Sequence, residues 1–176
     1  MTRAQLEHAI RAACDVADDS ELWIFGSQAI LGQFPDAPEA LRESAECDVT
    51  PKNRPEAADK IDGALGELSR FHQTYGFYVH GLSLDAATLP DGWKNRTNKI
   101  QNPNTKNYSG HCVEAHDLAA SKLFAFREKD KEFVRILLRE GLIQPDVLVA
   151  RVESLPCDPD ERARLTEWIR ITVDDR

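Results

Sequence analysis

The spacing of apolar residues divides the chain at about residue 115. Before that point, short apolar or alternating runs typical of strands lie between segments with helical spacing. After it, apolar residues recur only at helical spacing. The predicted strands are "ELWIF", "ECDVTP", "GFYVHGLSL" and parts of 93–114. The pattern predicts an α+β (α/β) fold, with residues 1–115 as the core and 116–176 as a helical C-terminal part packed on it.

The predicted helices have recognisable starting signals. Thr2 and Gln5 match a capping box at the start of a helix over 2–18. Pro55 lies near the first position of a predicted helix over 54–71. The other predicted helices are one that runs through Ile30-Leu31 after Gly26-Ser27, a short one within 33–45, and four over 117–127, 129–140, 145–153 and 159–173.

Composition narrows the class of protein. Apolar residues make up 41% and charged residues 30% of the 176 positions, as in soluble globular proteins. No apolar run reaches the ~18–20 residues that span a bilayer, and the N-terminus lacks a signal core. The four cysteines are far apart, which disfavours a zinc site or disulfides. We therefore expect a cytoplasmic protein with reduced thiols and no membrane partner.

One basic stretch stands out from an acidic chain. The net charge of −8 disfavours a broad nucleic-acid-binding surface, yet 93–110 contains no acidic residue. Its basic residues are Lys94, Arg96, Lys99 and Lys106. They predict a local groove for RNA, because Lys and Arg make the contacts to phosphates. The alternative is a solvated basic loop.

Gly26-Ser27 follows the first predicted strand directly. A glycine there lets the backbone approach a ligand closely, and a serine at a helix start offers a hydroxyl beside free N–H groups. Such a turn suits a triphosphate. The alternative is a serine that only caps the helix.

Glu46 and Asp48 lie two residues apart on the second predicted strand. Their side chains therefore share one face, about 7 Å apart, where their negative charges repel. A divalent cation would relieve that repulsion, and oxygen ligands favour Mg²⁺ or Mn²⁺. The alternative is a strand with one hydrated polar face.

Lys122 lies on the apolar side of a predicted helix. Its neighbours three and four residues away are Leu118, Ala119, Ala125 and Phe126. A lysine in such surroundings must extend to solvent, form a pair or serve a site. If 118–130 are one helix, Asp130 lies on the same row, with Arg127 beside it.

In this order the stretches "GSQAILGQFPDAPEAL", "ECDVTP" and "DLAASKLFAFREKDKEFV" resemble the nucleotidyltransferase superfamily with the polymerase-β-like fold, a small mixed sheet flanked by helices. More narrowly they resemble minimal nucleotidyltransferases of the AbiEii/MenT type, the toxins of bacterial toxin–antitoxin pairs. The resemblance covers residues 20 to 140. Two departures are Glu46 in place of the usual Asp, and 18 residues between Ser27 and Glu46. A third carboxylate is not evident, and Glu114 and Asp117 are unranked candidates.

The resemblance implies a function for each stretch. Gly26 and Ser27 would hold the nucleotide phosphates, and Glu46 and Asp48 would bind the metal. Lys122, Arg127 and Asp130 would match the Lys…Arg…Asp motif of the AbiEii type, with Lys122 at the triphosphate. The expected reaction is Mg²⁺-dependent transfer of nucleotides from an NTP to RNA, such as the tRNA 3′ end, which arrests growth. The natural protein partner would be a cognate antitoxin. The alternatives are an antibiotic-type enzyme acting on a small molecule and a catalytically silent nucleotide-binding module.

Overall fold

A five-stranded mixed sheet organises the fold. In the computed structural model the strands are β1 (Glu21–Phe25), β2 (Glu46–Pro51), β3 (Tyr78–Gly81), β4 (Asn98–Ile100) and β5 (Ser109–Cys112). They lie in the order β3-β2-β1-β5-β4. β1 is antiparallel to β2 and parallel to β5, β2 is parallel to β3, and β4 is antiparallel to β5. The predicted α+β fold with a mixed sheet is confirmed.

The structure describes residues 1–174 and groups them into two units. Unit 1 contains Met1–Ala86 and Thr97–Val113, and therefore the whole sheet. Its helices are α1 (Arg3–Ala17), α2 (Ala58–Leu65) and α3 (Arg70–Tyr75). Unit 2 contains Ala87–Arg96 and the described residues from Glu114 onward. Its helices are α4 (Ala115–Ala125), α5 (Glu128–Arg139), α6 (Pro145–Glu153) and α7 (Pro159–Asp174).

Helix α1 covers one face of the sheet. Thr2 caps it through the predicted capping box with Gln5. Ile10 on its buried side lies so close to β5 that a Cβ added at Gly110 would be 2.6 Å from its Cδ1 and 2.7 Å from Cδ1 of Ile24. The absence of a side chain at Gly110 thus lets helix and strand approach each other.

The helix predicted over 54–71 is interrupted in the structure. Residues Pro55–Ala57 form a 3-10 turn before α2, and the chain leaves the helical conformation at Gly66. Leu68 then adopts a positive φ of 65° before Ser69 caps α3. The spacing of apolar residues continued across this break, so the pattern alone concealed it. The predicted strand over 76–84 is likewise shorter and contains only β3.

Three other predicted segments differ in detail. The segment after Gly26 is a 3-10 helix over Ser27–Gly32, and the short helix within 33–45 is a 3-10 turn at Glu39–Leu41. The helices predicted over 117–127 and 129–140 are separate, and the condition that 118–130 form one helix is not met, because Phe126 has a φ of 55° between α4 and α5. Within residues 1–174 no helix is both long and apolar enough to cross a membrane.

Candidate active site

Strand β2 places two carboxylates on one face of the sheet. Cys47 and Val49 are buried, whereas Glu46 and Asp48 alternate with them and are half-buried. This is the arrangement that the Glu-x-Asp spacing predicted. Asp48 is paired in register with Phe25, the last residue of β1. The carboxylate therefore lies beside the point where β1 ends and Gly26 begins.

The close contact with Asp48 requires a glycine at position 26. It has a φ of 70° and a ψ of −175°, a conformation that glycine adopts almost alone. A Cβ built there would lie 2.0 Å from Oδ2 of Asp48. The sequence predicted a close backbone approach to a ligand, and the structure shows a close approach to a carboxylate of the site.

Ser27 is the first residue of the 3-10 helix, and the cap position belongs to Gly26. The alternative in which Ser27 serves only as the N-cap is therefore wrong. Ser27 is half-buried. The side-chain amide of Gln28, the next residue, is fully buried, and its Nε2 and Oε1 have no hydrogen-bond partner among the described residues. Unused donors and acceptors thus directly follow the serine predicted to bind phosphate.

His80 joins the two carboxylates and was missed by the sequence analysis. Parallel pairing of β2 and β3 sets it opposite Asp48. Its Nδ1 lies 2.8 Å from Oε1 of Glu46 and 3.3 Å from Oδ1 of Asp48, and its Nε2 lies 4.0 Å from Oδ1 of Asp62. The alternation of Phe77 and Val79 with polar residues was a signal for a polar face here. Nothing in the sequence indicated that β3 pairs with β2.

The surroundings of these carboxylates are strongly negative. Burial raises the pKa of Tyr78, and the charges of Glu46 and neighbouring carboxylates raise it further. Burial also raises the pKa of the Cys47 thiol well above its ordinary value, with the adjacent Asp48 adding to the effect. Such a potential favours the binding of a cation.

The residues present fit a divalent metal ion. Ligand atoms of Glu46, Asp48 and His80 all lie within 4.8 Å of one another. The donor set contains two carboxylates, as predicted, and adds an imidazole nitrogen. Three protein ligands leave coordination positions open for phosphate oxygens or water. The cluster can therefore hold a metal ion that still has room for an added ligand.

Lys122, Arg127 and Asp130 come together in unit 2. Nζ of Lys122 lies 3.2 Å from Oδ1 of Asp130, and Nε of Arg127 lies 2.6 Å from Oδ2. The lysine is inward-facing as predicted, with 12% of its side chain exposed and its ammonium 4.5 Å from the ring centroid of Phe133. The Lys122–Asp130 pair joins two helices, α4 and α5, rather than two turns of a single helix.

Charge and burial oppose each other in this cluster. Burial lowers the pKa of Lys122, while Asp130 partly offsets that shift. Burial alone would raise the pKa of Asp130, but Arg127 and Lys122 outweigh it, so the pKa is lowered. The carboxylate is thus ionised and holds both cations in place. The roles of the three residues in nucleotide binding stay predictions.

The two candidates for a third carboxylate have other partners within unit 2. Glu114 caps α4 by accepting hydrogen bonds from N–H groups of His116 and Asp117. Asp117 is fully buried and accepts two hydrogen bonds from Arg96, while Nε of Arg151 lies 3.1 Å from its Oδ1. Both carboxylates therefore stabilise unit 2.

The basic stretch is divided between the units. Lys94 and Arg96 belong to unit 2, and Lys99 and Lys106 belong to unit 1. Nζ of Lys94 lies 5.8 Å from the ring centroid of Trp93, and Lys106 pairs with Asp15. Lys99 is exposed on β4. RNA binding by these residues stays a prediction.

Comparison with known proteins places the chain in a family. No curated protein and no solved structure matches it. A family model described as "Nucleotidyltransferase of unknown function (DUF6036)" matches residues 4–168, which include every residue of the two clusters. The match supports the nucleotidyltransferase superfamily and does not extend to the AbiEii/MenT toxin type. The chain therefore belongs to the DUF6036 family of nucleotidyltransferases.

Proposed function

We propose that the protein transfers a nucleotidyl group from an NTP to a hydroxyl acceptor with the help of a divalent metal ion. One observation carries the proposal: Glu46, Asp48 and His80 present ligand atoms within 4.8 Å of one another. Gly26 abuts this cluster at the end of β1, and Ser27 follows it. A cation site next to a predicted phosphate-binding turn is the arrangement that this chemistry needs.

In the proposed reaction, the acceptor oxygen forms a bond to the α-phosphorus. The bond from that phosphorus to the α,β-bridging oxygen breaks, pyrophosphate leaves with the electron pair of that bond, and the hydroxyl proton passes to water. A bound Mg²⁺ or Mn²⁺ supplies charge neutralisation at the phosphates. Glu46 and Asp48 would hold the ion, and strand β2 fixes both carboxylates on one face before substrate arrives. Catalysis then consists mainly of positioning and electrostatic stabilisation.

The remaining predicted residues bind the nucleotide in this scheme. Ser27 and the local backbone N–H groups contact the β- and γ-phosphates. Lys122 and Arg127 contribute positive charge to the triphosphate, and Asp130 orients both of them through the contacts described above. Asp130 is then a positioning residue rather than a metal ligand.

We further propose RNA, specifically the tRNA 3′ end, as the acceptor, with growth arrest as the outcome and a cognate antitoxin as the partner. The resemblance to AbiEii/MenT toxins supports this proposal. Exposed Lys94 and Lys99 would contact the RNA backbone. Arg96 is a weaker candidate, because its guanidinium is engaged by buried Asp117.

A small hydroxyl compound is the second candidate for the acceptor. The net charge of −8 favours it, as does the pairing of Arg96 and Lys106 with carboxylates of the protein. Fewer basic groups then remain for a polyanion.

A labelling experiment separates these acceptors. The purified protein is incubated with each labelled NTP and Mg²⁺ or Mn²⁺, together with total tRNA or a panel of small hydroxyl compounds. We expect label on tRNA, and loss of that label in Asp48→Ala and Lys122→Ala variants that remain folded at the assay temperature. A Lys94→Glu/Lys99→Glu variant should bind tRNA more weakly and bind NTP as the wild type does.

Other results would redirect the proposal. Label on small compounds alone would identify a small hydroxyl compound, rather than RNA, as the acceptor. Bound NTP without transfer under any condition would identify a silent binding module. Unfolding of the Lys122→Ala variant would assign that lysine a structural role.

A further inference from the structure

The contacts of His80 go beyond those of an ordinary hydrogen bond to one carboxylate. Its Nδ1 faces two carboxylate oxygens at once, at 2.8 Å from Glu46 and 3.3 Å from Asp48. Two atoms that each lie about 2.1 Å from one metal ion at a right angle are roughly 3.0 Å apart. The two distances bracket that value, so Nδ1 of His80 is spaced from each carboxylate as a neighbouring ligand of one ion would be.

The other ring nitrogen of His80 also faces a carboxylate. Nε2 lies 4.0 Å from Oδ1 of Asp62, a residue of α2. Histidines that bind metals through one nitrogen commonly direct the other N–H at a carboxylate, which fixes the orientation of the ring. Asp62 is placed to serve as that outer partner, so strand β3 and helix α2 both contribute to the geometry.

A nitrogen ligand changes which ion a site prefers. Mg²⁺ takes oxygen ligands and keeps several waters, whereas imidazole binds divalent transition metals well. We propose that Nδ1 of His80 is a ligand of the ion held by Glu46 and Asp48, and that it makes the site select a divalent transition metal over Mg²⁺. The role of the ion in catalysis rests on the proposed function. The identity of its ligands rests on the geometry alone.

A histidine elsewhere in the sheet supplies a matched control. Nε2 of His111 on β5 lies 2.9 Å from Oε1 of Glu21. Nζ of Lys52 lies 2.9 Å from that same oxygen, so this pair already contains a cation. Strands β1 and β2 separate β5 from β3. A change at His111 therefore alters a histidine–carboxylate pair without touching the proposed ligands.

The direct test is pulsed EPR of Mn²⁺ bound to the full chain. We expect the ¹⁴N modulation of a coordinated imidazole in the wild type and in His111→Gln, and its loss in His80→Gln. Titration should show that His80→Gln weakens Mn²⁺ binding by at least about tenfold, since even changes in outer partners of a metal site cost that much. In His80→Asp, which restores oxygen ligands, the ratio of Mg²⁺ to Mn²⁺ dissociation constants should fall.

The outcomes separate this inference from the proposed reaction. Bound Mn²⁺ without nitrogen modulation overturns the inference, and so does an unchanged metal ratio in His80→Asp. Either result leaves nucleotidyl transfer standing if label still reaches an acceptor. Nitrogen modulation in a protein that transfers no nucleotide supports the inference and overturns the proposed function.

Discussion

At the scale of single residues, Gly26 and Asp48 form a matched pair. The glycine occupies a conformation closed to other residues, and the space that its side chain would need is filled by the Asp48 carboxylate. The backbone at the end of β1 therefore limits where that carboxylate can point. Gly26 thus limits the geometry of a carboxylate that is proposed to bind the ion.

Replacing Gly26 by alanine should damage metal binding and stability together. The new Cβ would lie 2.0 Å from Oδ2 of Asp48, so the carboxylate must turn away. The strained backbone should lower the free energy of unfolding by about 1–3 kcal/mol. Urea denaturation measures the loss of stability, and Mn²⁺ titration measures the loss of metal binding.

Gly63→Ala is the control for this substitution. Gly63 lies in α2, and a Cβ there would have no atom within 4 Å. Alanine should raise the free energy of unfolding by up to about 1 kcal/mol through its helix propensity and leave the Mn²⁺ affinity unchanged. Unchanged Mn²⁺ binding in Gly26→Ala would show that Asp48 is not a ligand.

The sequence predicted the carboxylates of the cluster but not the histidine, for a physical reason. Glu46 and Asp48 share a face because of alternation along one strand, which is a local property. His80 reaches them through the pairing of β3 with β2, which joins strands about 30 residues apart. Pairing of that kind depends on the whole sheet rather than on any nearby residues.

At the scale of elements, the junction of α4 and α5 holds a charge cluster together. Phe126 turns the chain with a φ of 55°, so that the side chain of Lys122 meets that of Asp130 from a different helix. The sequence placed Asp130 on the same row as Lys122 only on the condition that 118–130 form one helix. The contact is present, but it depends on the turn, and apolar spacing gave no sign of a left-handed residue at Phe126.

Asp130→Asn should strongly destabilise the protein. Asp130 has only 1% of its side chain exposed, and its removal would leave the buried Lys122 ammonium without its carboxylate. Loss of one partner from a buried pair costs about 3–5 kcal/mol. Chemical denaturation should show that Asp130→Asn lowers the free energy of unfolding less in a Lys122→Met background than in the wild type.

The comparison is Glu128→Gln on the same helix. Glu128 pairs with Lys131 and Arg135, but 73% of its side chain is exposed. Solvent screens such pairs, so this change should lower the free energy of unfolding far less than Asp130→Asn does. Equal losses in both variants would contradict the buried role of Asp130.

At the scale of the whole molecule, ionised carboxylates are held in both units. The pKa lies below its ordinary value in Glu7, Asp15, Asp19, Glu21, Glu114, Glu128 and Asp130. A carboxyl group with a lowered pKa in the folded state stabilises that state at neutral pH. Protonation of these groups removes that contribution, so the molecule should be sensitive to acid.

Glu21 offers the clearest case for measurement. A hydrogen bond from Lys52, followed by one from His111, lowers its pKa from 4.5 to about 2. Its stabilising contribution is therefore complete above pH 4.5 and lost as the pH falls towards 2. Urea denaturation across this range should show a smaller loss of stability in Glu21→Gln than in the wild type.

Lys52→Met provides the complementary variant. It removes the cation that contributes most to the shift, so it should reduce the same pH dependence while leaving the carboxyl group in place. If the free energy of unfolding of both variants falls between pH 4.5 and 2 as steeply as that of the wild type, the Glu21–Lys52 pair does not stabilise the fold.

The sequence predicted the kinds of elements in the molecule better than their arrangement. Strands β1 and β2 and helices α1 and α7 were recognisable from local patterns and end signals. The order β3-β2-β1-β5-β4 and the assignment of Lys94 and Lys99 to different units were not. Both arise from contacts between distant segments, which local spacing does not record.

The edges of the sheet have a consequence for how the protein behaves at high concentration. The outermost strands are short: β3 has four residues and β4 has three. Lys99, exposed at the middle of β4, places a charge where a strand of another molecule would have to pair. Short edges bearing lysine discourage edge-to-edge aggregation. The lysine predicted to contact RNA thus also keeps neighbouring sheets from joining.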